Sequence, residues 1–147
     1  MWFLDLRLHD ASGAEVARNF YWLSTEPDVL DYENNLWFVT PTKEFADFSA
    51  LDDLSEVELE VSASGNGSEV MVQLSNPADA LAFFVELRVV DAEGNSILPV
   101  LWDDNYVSIL PGESRELTAS FPTVDDVSGA TLVVKGWNVA GVTVPLR

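Results

Sequence analysis

The sequence contains no cysteine, so neither a disulfide framework nor a thiolate metal site can form, and stability must come from an apolar core alone. Basic residues are scarce: seven Lys and Arg stand against 25 Asp and Glu, a formal charge of −18 at pH 7. That charge repels nucleic acid phosphates and anionic membrane surfaces, which argues against both partner classes. The single histidine, His9, excludes multi-histidine metal sites, and a Ser–His–acid triad would depend on one residue near the end of an outer hairpin. No apolar run approaches the roughly 18 residues that a membrane span requires. Met1-Trp2-Phe3-Leu4-Asp5-Leu6-Arg7 lacks the basic and long apolar regions of a signal peptide, so any export signal is expected to lie outside this chain, which reads as soluble.

Apolar residues, by contrast, make up 48% of the sequence, including five Trp, eight Phe and three Tyr. That is too rich for a disordered tail. The 147 residues suffice for one sandwich of about 100 residues and some extra elements, but not for two complete domains.

Residues 1–9 alternate, with Trp2, Leu4, Leu6 and Leu8 on one side and Asp5, Arg7 and His9 on the other, the period of a half-buried strand. Ala11-Ser12-Gly13-Ala14 then supplies a turn, and the aromatic-rich run 16–23 pairs back. Residues 1–24 therefore read as a hairpin whose apolar face, drawn from Trp2, Leu4, Leu6, Leu8, Phe20 and Trp22, needs a partner surface. Over 25–54 the alternation fades, Pro27 and Pro41 interrupt pairing, and Asp28, Asp31, Asn34, Asn35 and Asp47 favour turns. Leu30, Tyr32, Leu36, Trp37, Phe38, Phe45 and Phe48 are too apolar for a loose tether, so this connecting segment is expected to be packed, in particular at Trp37, Phe38, Phe45 and Phe48.

From residue 55 the pattern is cleaner. Val57, Leu59, Val61 and Ala63 alternate with Glu56, Glu58, Glu60 and Ser62, and Ser64-Gly65-Asn66-Gly67-Ser68 turns into Val70, Val72 and Leu74. Leu81, Phe83, Val85, Leu87 and Val89 form the next apolar face, followed by a turn at 91–95 and a run 97–102 in which Pro99 marks an edge or bulged position. Strands at 107–110, 115–121, 131–137 and 142–146 complete the series. Seven or eight short strands in about 93 residues, without a sustained helical period, define an all-β fold: an immunoglobulin-like antiparallel β-sandwich over 55–147, preceded by a β-hairpin and an aromatic-rich connection.

Hydrolysis of a sugar needs two carboxyls facing one cleft, one with a raised pKa. Here Glu56, Glu58 and Glu60 point outward, while Asp91, Glu93, Glu113, Asp125 and Asp126 fall in turns where water keeps them ionised and unperturbed. No catalytic pair emerges, and no cofactor is implied. Asp52-Asp53 and Asp103-Asp104-Asn105 carry oxygen ligands but lack the twelve-residue calcium loop, and Asn66-Gly67-Ser68 fits a glycosylation triplet that a hairpin turn already explains. Trp102-Asp103-Asp104-Asn105-Tyr106 is the candidate substrate-rim loop. Its aromatics could cover the C–H faces of a pyranose while carboxylates and amide fix hydroxyls or an amino-sugar ammonium. Alternatively, Trp102 plugs the sandwich and the aspartates cap a turn.

Several strings extend this reading: Arg18-Asn19-Phe20-Tyr21-Trp22-Leu23-Ser24, Pro27-Asp28-Val29-Leu30-Asp31, Thr40-Pro41-Thr42, Leu81-Ala82-Phe83-Phe84-Val85, Leu98-Pro99-Val100-Leu101-Trp102-Asp103-Asp104-Asn105-Tyr106, Leu110-Pro111-Gly112-Glu113-Ser114 and Gly136-Trp137-Asn138-Val139. In this order they resemble the C-terminal region of exo-β-D-glucosaminidases, members of glycoside hydrolase family 2 related to β-mannosidases. The resemblance implies a parent glycosidase with a catalytic (β/α)8 barrel, which holds the catalytic carboxylates, and a preceding sandwich, of which residues 1–24 could be the closing strands. It implies for this chain an accessory role, buttressing the barrel and lending a loop to a pocket for an amino-sugar or mannoside. An independent carbohydrate-binding module, with Trp22, Trp37 and Trp137 as its aromatics, and a protein–protein assembly domain are the alternatives. Self-association through residues 1–24 is expected for the isolated chain.

Overall fold

The computed structural model describes residues 1–146. They fall into two compact units, Met1–Asp53 and a second that begins at Leu54. In the first unit, β1 (Trp2–His9) and β2 (Glu15–Leu23) form an antiparallel hairpin. Asp10 closes its turn by accepting hydrogen bonds from the Ser12 hydroxyl and from the Ser12 and Ala14 amides.

The register corrects the expected apolar face. Phe20 pairs with Asp5 and Trp22 with Phe3, whereas Trp2, Leu4, Leu6 and Leu8 pair with Leu23, Tyr21, Asn19 and Ala17. Directly opposed residues share a face, so Phe20 and Trp22 lie on the side opposite Trp2 and Leu4. That side is internally organised: Phe3 stacks on Phe20 at 5.8 Å between ring centroids, and Arg18 donates to Asp5 through Nε at 2.7 Å. Partial burial opposes ionisation of Asp5, but hydrogen bonds and charge from Arg18 and Arg7 outweigh it and hold the carboxyl below its ordinary value. The other side, with Trp2, Leu4, Leu6, Leu8, Tyr21 and Leu23, is exposed.

The segment after the hairpin contains a two-residue-wide ladder of β3 (Val29–Leu30) with β4 (Thr42–Glu44) and a single 3-10 turn at Ser49–Leu51. Between β3 and β4 the chain makes a tight reversal in which Leu36 and Val39 exchange backbone hydrogen bonds at 2.8 and 3.2 Å. Trp37 and Phe38 form its tip, packed edge to face at 4.8 Å. The expected packing of this segment is not found: Trp37 is 93% exposed, Phe45 82%, Phe38 66% and Phe48 36%. The reversal is so short that its two central side chains project away from the local backbone, and backbone hydrogen bonds rather than side-chain burial hold it.

In the second unit eight strands form two four-stranded antiparallel sheets. One has the order β5 (Glu60–Asn66), β6 (Glu69–Ser75), β10 (Ser114–Ser120), β8 (Leu101–Trp102). The other has the order β12 (Val142–Pro145), β11 (Thr131–Lys135), β7 (Ala82–Val90), β9 (Val107–Ile109). Strict alternation builds the core: Val70, Val72 and Leu74 on β6 and Leu117 and Ala119 on β10 face Val85, Leu87 and Val89 on β7 and Leu132 and Val134 on β11. This is the immunoglobulin-like antiparallel sandwich that the alternation predicts. The ladder of β5 begins only at Glu60, although Val57 and Leu59 are already buried. Val57 instead makes an isolated parallel bridge to Val139. Of the predicted strand at 97–102 only Leu101 and Trp102 join a ladder, that of β10, while the Ile97 amide donates to the Val89 carbonyl on β7 at 2.9 Å; β8 is the edge of its sheet. On β7 the register shifts between Ala82 and Val85, and Phe84 has φ 55. This bulge buries Ala82 and Phe83 together and leaves Leu81 half-buried, not on the regular core face.

Candidate functional site

Loop 102–106 connects the edge strand β8 to β9, and its side chains divide between structure and surface. Trp102 is half-buried and packs against the core cluster. Asp103 continues the β8–β10 ladder with its carboxylate: the Thr118 amide donates to Oδ1 at 2.9 Å and the Thr118 hydroxyl to Oδ2 at 3.0 Å. Asn105 does the same on the other sheet, accepting from the Leu87 amide at 2.8 Å and donating to the Leu87 carbonyl at 3.0 Å. Where β9 no longer reaches β7, this side-chain amide stands in for a strand.

Asp104 and Tyr106 remain on the surface. Arg115 donates to Asp104 at 3.0 Å in an ion pair whose carboxylate side chain is 53% exposed, a geometry worth at most about 1 kcal/mol. Tyr106 has φ 55 and stacks obliquely on Phe84, with centroids 5.1 Å apart. Its hydroxyl donates to Glu86 Oε1 at 3.1 Å. That hydrogen bond and the Glu86 charge push the phenol above the ordinary tyrosine pKa. The loop therefore brings the five residues into one short connection in which Asp103, Asp104 and Tyr106 are exposed, with the Asp103 carboxylate engaged by Thr118, while Trp102 and Asn105 are half-buried.

The other acidic candidates are solvated turn residues. Asp91 accepts from the Asn95 amide and side chain, Asp126 from the Ser128 hydroxyl and amide, and both are held below the usual carboxylate range. They are ionised as expected but not unperturbed, because turn hydrogen bonds favour the charged form. Asp10, Asp31 and Asp47 are lowered for the same reason. No displacement among these runs upward, the direction a glycosidic general acid requires. Among the described residues no three of His, Asp and Glu converge on a point that could hold a metal ion. His9 is exposed, with Nδ1 3.2 Å from the Gly13 carbonyl.

Two surface depressions adjoin the loop. A groove of about 620 Å3 crosses the solvent side of the first sheet, where Glu69, Met71, Leu101 and Asp103 line it. A smaller one of about 210 Å3 is lined by Phe84, Glu86, Tyr106, Lys135, Gly136 and Trp137. Two buried asparagines that local sequence does not distinguish from turn residues organise the neighbourhood. Asn76 bonds Ala80 and Ile109, and Asn138 bonds Ser55, Leu81 and Phe83.

Fold and loop together define an immunoglobulin-like sandwich domain without the cysteine pair of antibody domains. Its sequence matches the family model described as the exo-β-D-glucosaminidase Ig-fold domain over residues 37–139, and the chain belongs to that family. It is 40% identical to an exo-β-D-glucosaminidase of Streptomyces avermitilis over 95% of this chain and 16% of that protein. It is also 40% identical to one of Amycolatopsis orientalis, over 94% of this chain and 14% of that protein. The crystal structure of the exo-chitosanase of Amycolatopsis orientalis superposes with a TM-score of 0.83 at 36% identity, covering 97% of this chain and 18% of that one. The chain thus spans about one sixth of the length of the relatives it matches.

Proposed function

We propose that this chain is a non-catalytic accessory domain of a glycoside hydrolase of the exo-β-D-glucosaminidase or β-mannosidase type. In this reading it buttresses a catalytic (β/α)8 barrel, and Asp104 and Tyr106, carried by Trp102, Asp103 and Asn105, stand at the rim of the pocket for an amino-sugar or mannoside. Residues 1–24 close a preceding sandwich, 25–54 form the connecting segment, and 55–147 are the sandwich proper. The observation that carries the reading is the uncovered apolar surface of the first unit. Trp2, Leu4, Leu6, Leu8, Tyr21 and Leu23 make one face, and Trp37 and Phe38 make a prong held by its backbone. At roughly 25 cal/mol per Å2 of apolar area, covering such a surface is worth several kcal/mol. The large remainder of each relative is where such a cover would come from.

The chain alone is expected to show no turnover of 4-nitrophenyl β-D-glucosaminide or β-D-mannoside. Turnover that survives repurification and disappears on changing Asp103 or Asp104 would overturn the accessory reading. Without its cover, the hairpin face is expected to bring copies of the chain together. Sedimentation of the full chain should show self-association at concentrations where a version starting at Thr25 is monomeric; equal, monomeric behaviour of both sinks the docking role of residues 1–24.

A further inference from the structure

Three aromatic side chains from separate parts of the second unit meet in the depression of about 210 Å3: Phe84 from β7, Tyr106 from the loop before β9, and Trp137 just beyond β11. Two of them hold a conformation that the fold could have given to glycine. Phe84 and Tyr106 both have φ 55, where a large side chain costs about 1–3 kcal/mol. The Phe84 ring is half-buried, while Tyr106 is 50% exposed and Trp137 55%. Trp137 is nevertheless fixed through its backbone, whose amide donates to the Phe83 carbonyl at 2.9 Å. Gly136 permits that approach, since a Cβ there would sit 2.7 Å from Val139 Cγ2 and 3.0 Å from the Phe83 carbonyl oxygen. Backbone strain at Tyr106 and close packing at Gly136 thus accompany two rings presented to solvent, Tyr106 and Trp137, beside the half-buried Phe84.

The polar groups among the rings identify what they suit. Glu86 and Lys135 are directly opposed across β7 and β11, and both line the depression with Gly136. A carboxylate accepts and an ammonium donates, the complement of vicinal hydroxyls, each of which does both. The flat faces of the rings match the C–H faces of a pyranose. The local pair is neutral in sum, so recognition does not depend on the charge of the sugar. We propose that Phe84, Tyr106 and Trp137, with Glu86 and Lys135, form a binding site for a single pyranose ring of an oligosaccharide. This deepens the accessory reading, with which it shares Tyr106, but it makes no use of residues 1–48 and is tested on the chain by itself.

The test is a titration of the full chain with the β-1,4-linked tetramer of glucosamine, followed by amide and indole NMR, with cellotetraose as the uncharged arm and spermine as the polycation control. Saturable shifts are expected at Phe84, Glu86, Tyr106, Lys135 and the Trp137 indole, with both sugars, while the more exposed Trp37 indole stays in place. Trp137→Ala and Tyr106→Ala should each weaken binding by about tenfold, and Tyr106→Phe by much less, because the ring remains. Should an alanine variant fail to fold, Lys135→Met and Glu86→Gln read the polar half of the site and should weaken binding several-fold. The proposal is overturned by the absence of shifts, by shifts that spermine reproduces and salt removes, or by shifts centred on Trp37 or on the larger groove at Met71 and Leu101.

Discussion

Replacing Asn138 by alanine is expected to lower the unfolding free energy of the sandwich by about 2–4 kcal/mol, because one buried and two part-buried backbone groups lose their partner at once. Asn138 Nδ2 donates to the Ser55 carbonyl at 2.6 Å and the Leu81 carbonyl at 2.7 Å, and Oδ1 accepts from the Phe83 amide at 2.8 Å. The residue is only 8% exposed, so water replaces those bonds poorly. The three partners belong to the entry into the sandwich and to the bulged start of β7, neither of which has a complete ladder of its own. Asn138→Asp is an informative companion: it keeps the acceptor for Phe83 but turns a second oxygen towards carbonyls, and it should be no better than alanine. For a domain whose whole stability is of order 5–15 kcal/mol, the loss is visible in urea as a reduced midpoint at unchanged slope. A decrease below about 1 kcal/mol would mean that the clamp is incidental to the fold.

Truncating Phe121 to alanine should have a comparable effect for a different reason. Phe121 is 1% exposed and the largest fully buried side chain among the described residues. It sits just past β10, where its amide donates to the Ser68 carbonyl at 2.8 Å, so its backbone cannot easily follow a shrinking side chain. The cavity therefore persists, and large-to-small changes of this type cost about 3–5 kcal/mol. For a unit of this size the melting temperature should fall by more than about 10 °C. Phe121→Leu, which refills most of the space, should recover the greater part of that shift in a thermal unfolding scan. A leucine variant as unstable as the alanine one would point to lost ring contacts and not to volume.

Loop 102–106 illustrates how one set of residue types can serve two roles. An aromatic–acid–amide run is what a sugar-binding loop contains, and it is also what a loop at the end of a two-residue edge strand uses to bond its neighbours. Asp103 and Asn105 take the second role, each replacing a strand partner by a side chain. The depression that joins Tyr106 to Phe84 and Trp137 could not be assembled from the sequence. Its members lie in three separate segments, and two of them share a backbone conformation that no residue-type preference announces.

What the sequence determined by itself is whatever depends on period and short range. Alternation at 57–63 and 70–74 and along β7 marked the buried faces, because successive strand side chains point to opposite sides whatever the strand pairs with. Gly67 with φ 59 and the Asp91 turn lie where turn chemistry placed them. Ordered strings spread over nearly the whole chain also carried the family. The tertiary structure alone decided matters that depend on register and on distant partners. The hairpin register moved Phe20 and Trp22 away from Trp2 and Leu4, since pairing across a turn, and not residue type, assigns a face. Asn138 became a clamp only because Ser55, 83 positions away, and Leu81, 57 positions away, arrive beside it. The exposure of Trp37 and Phe38 was likewise invisible beforehand, because apolar composition states that a surface should be covered, while only the fold shows whether this chain can cover it.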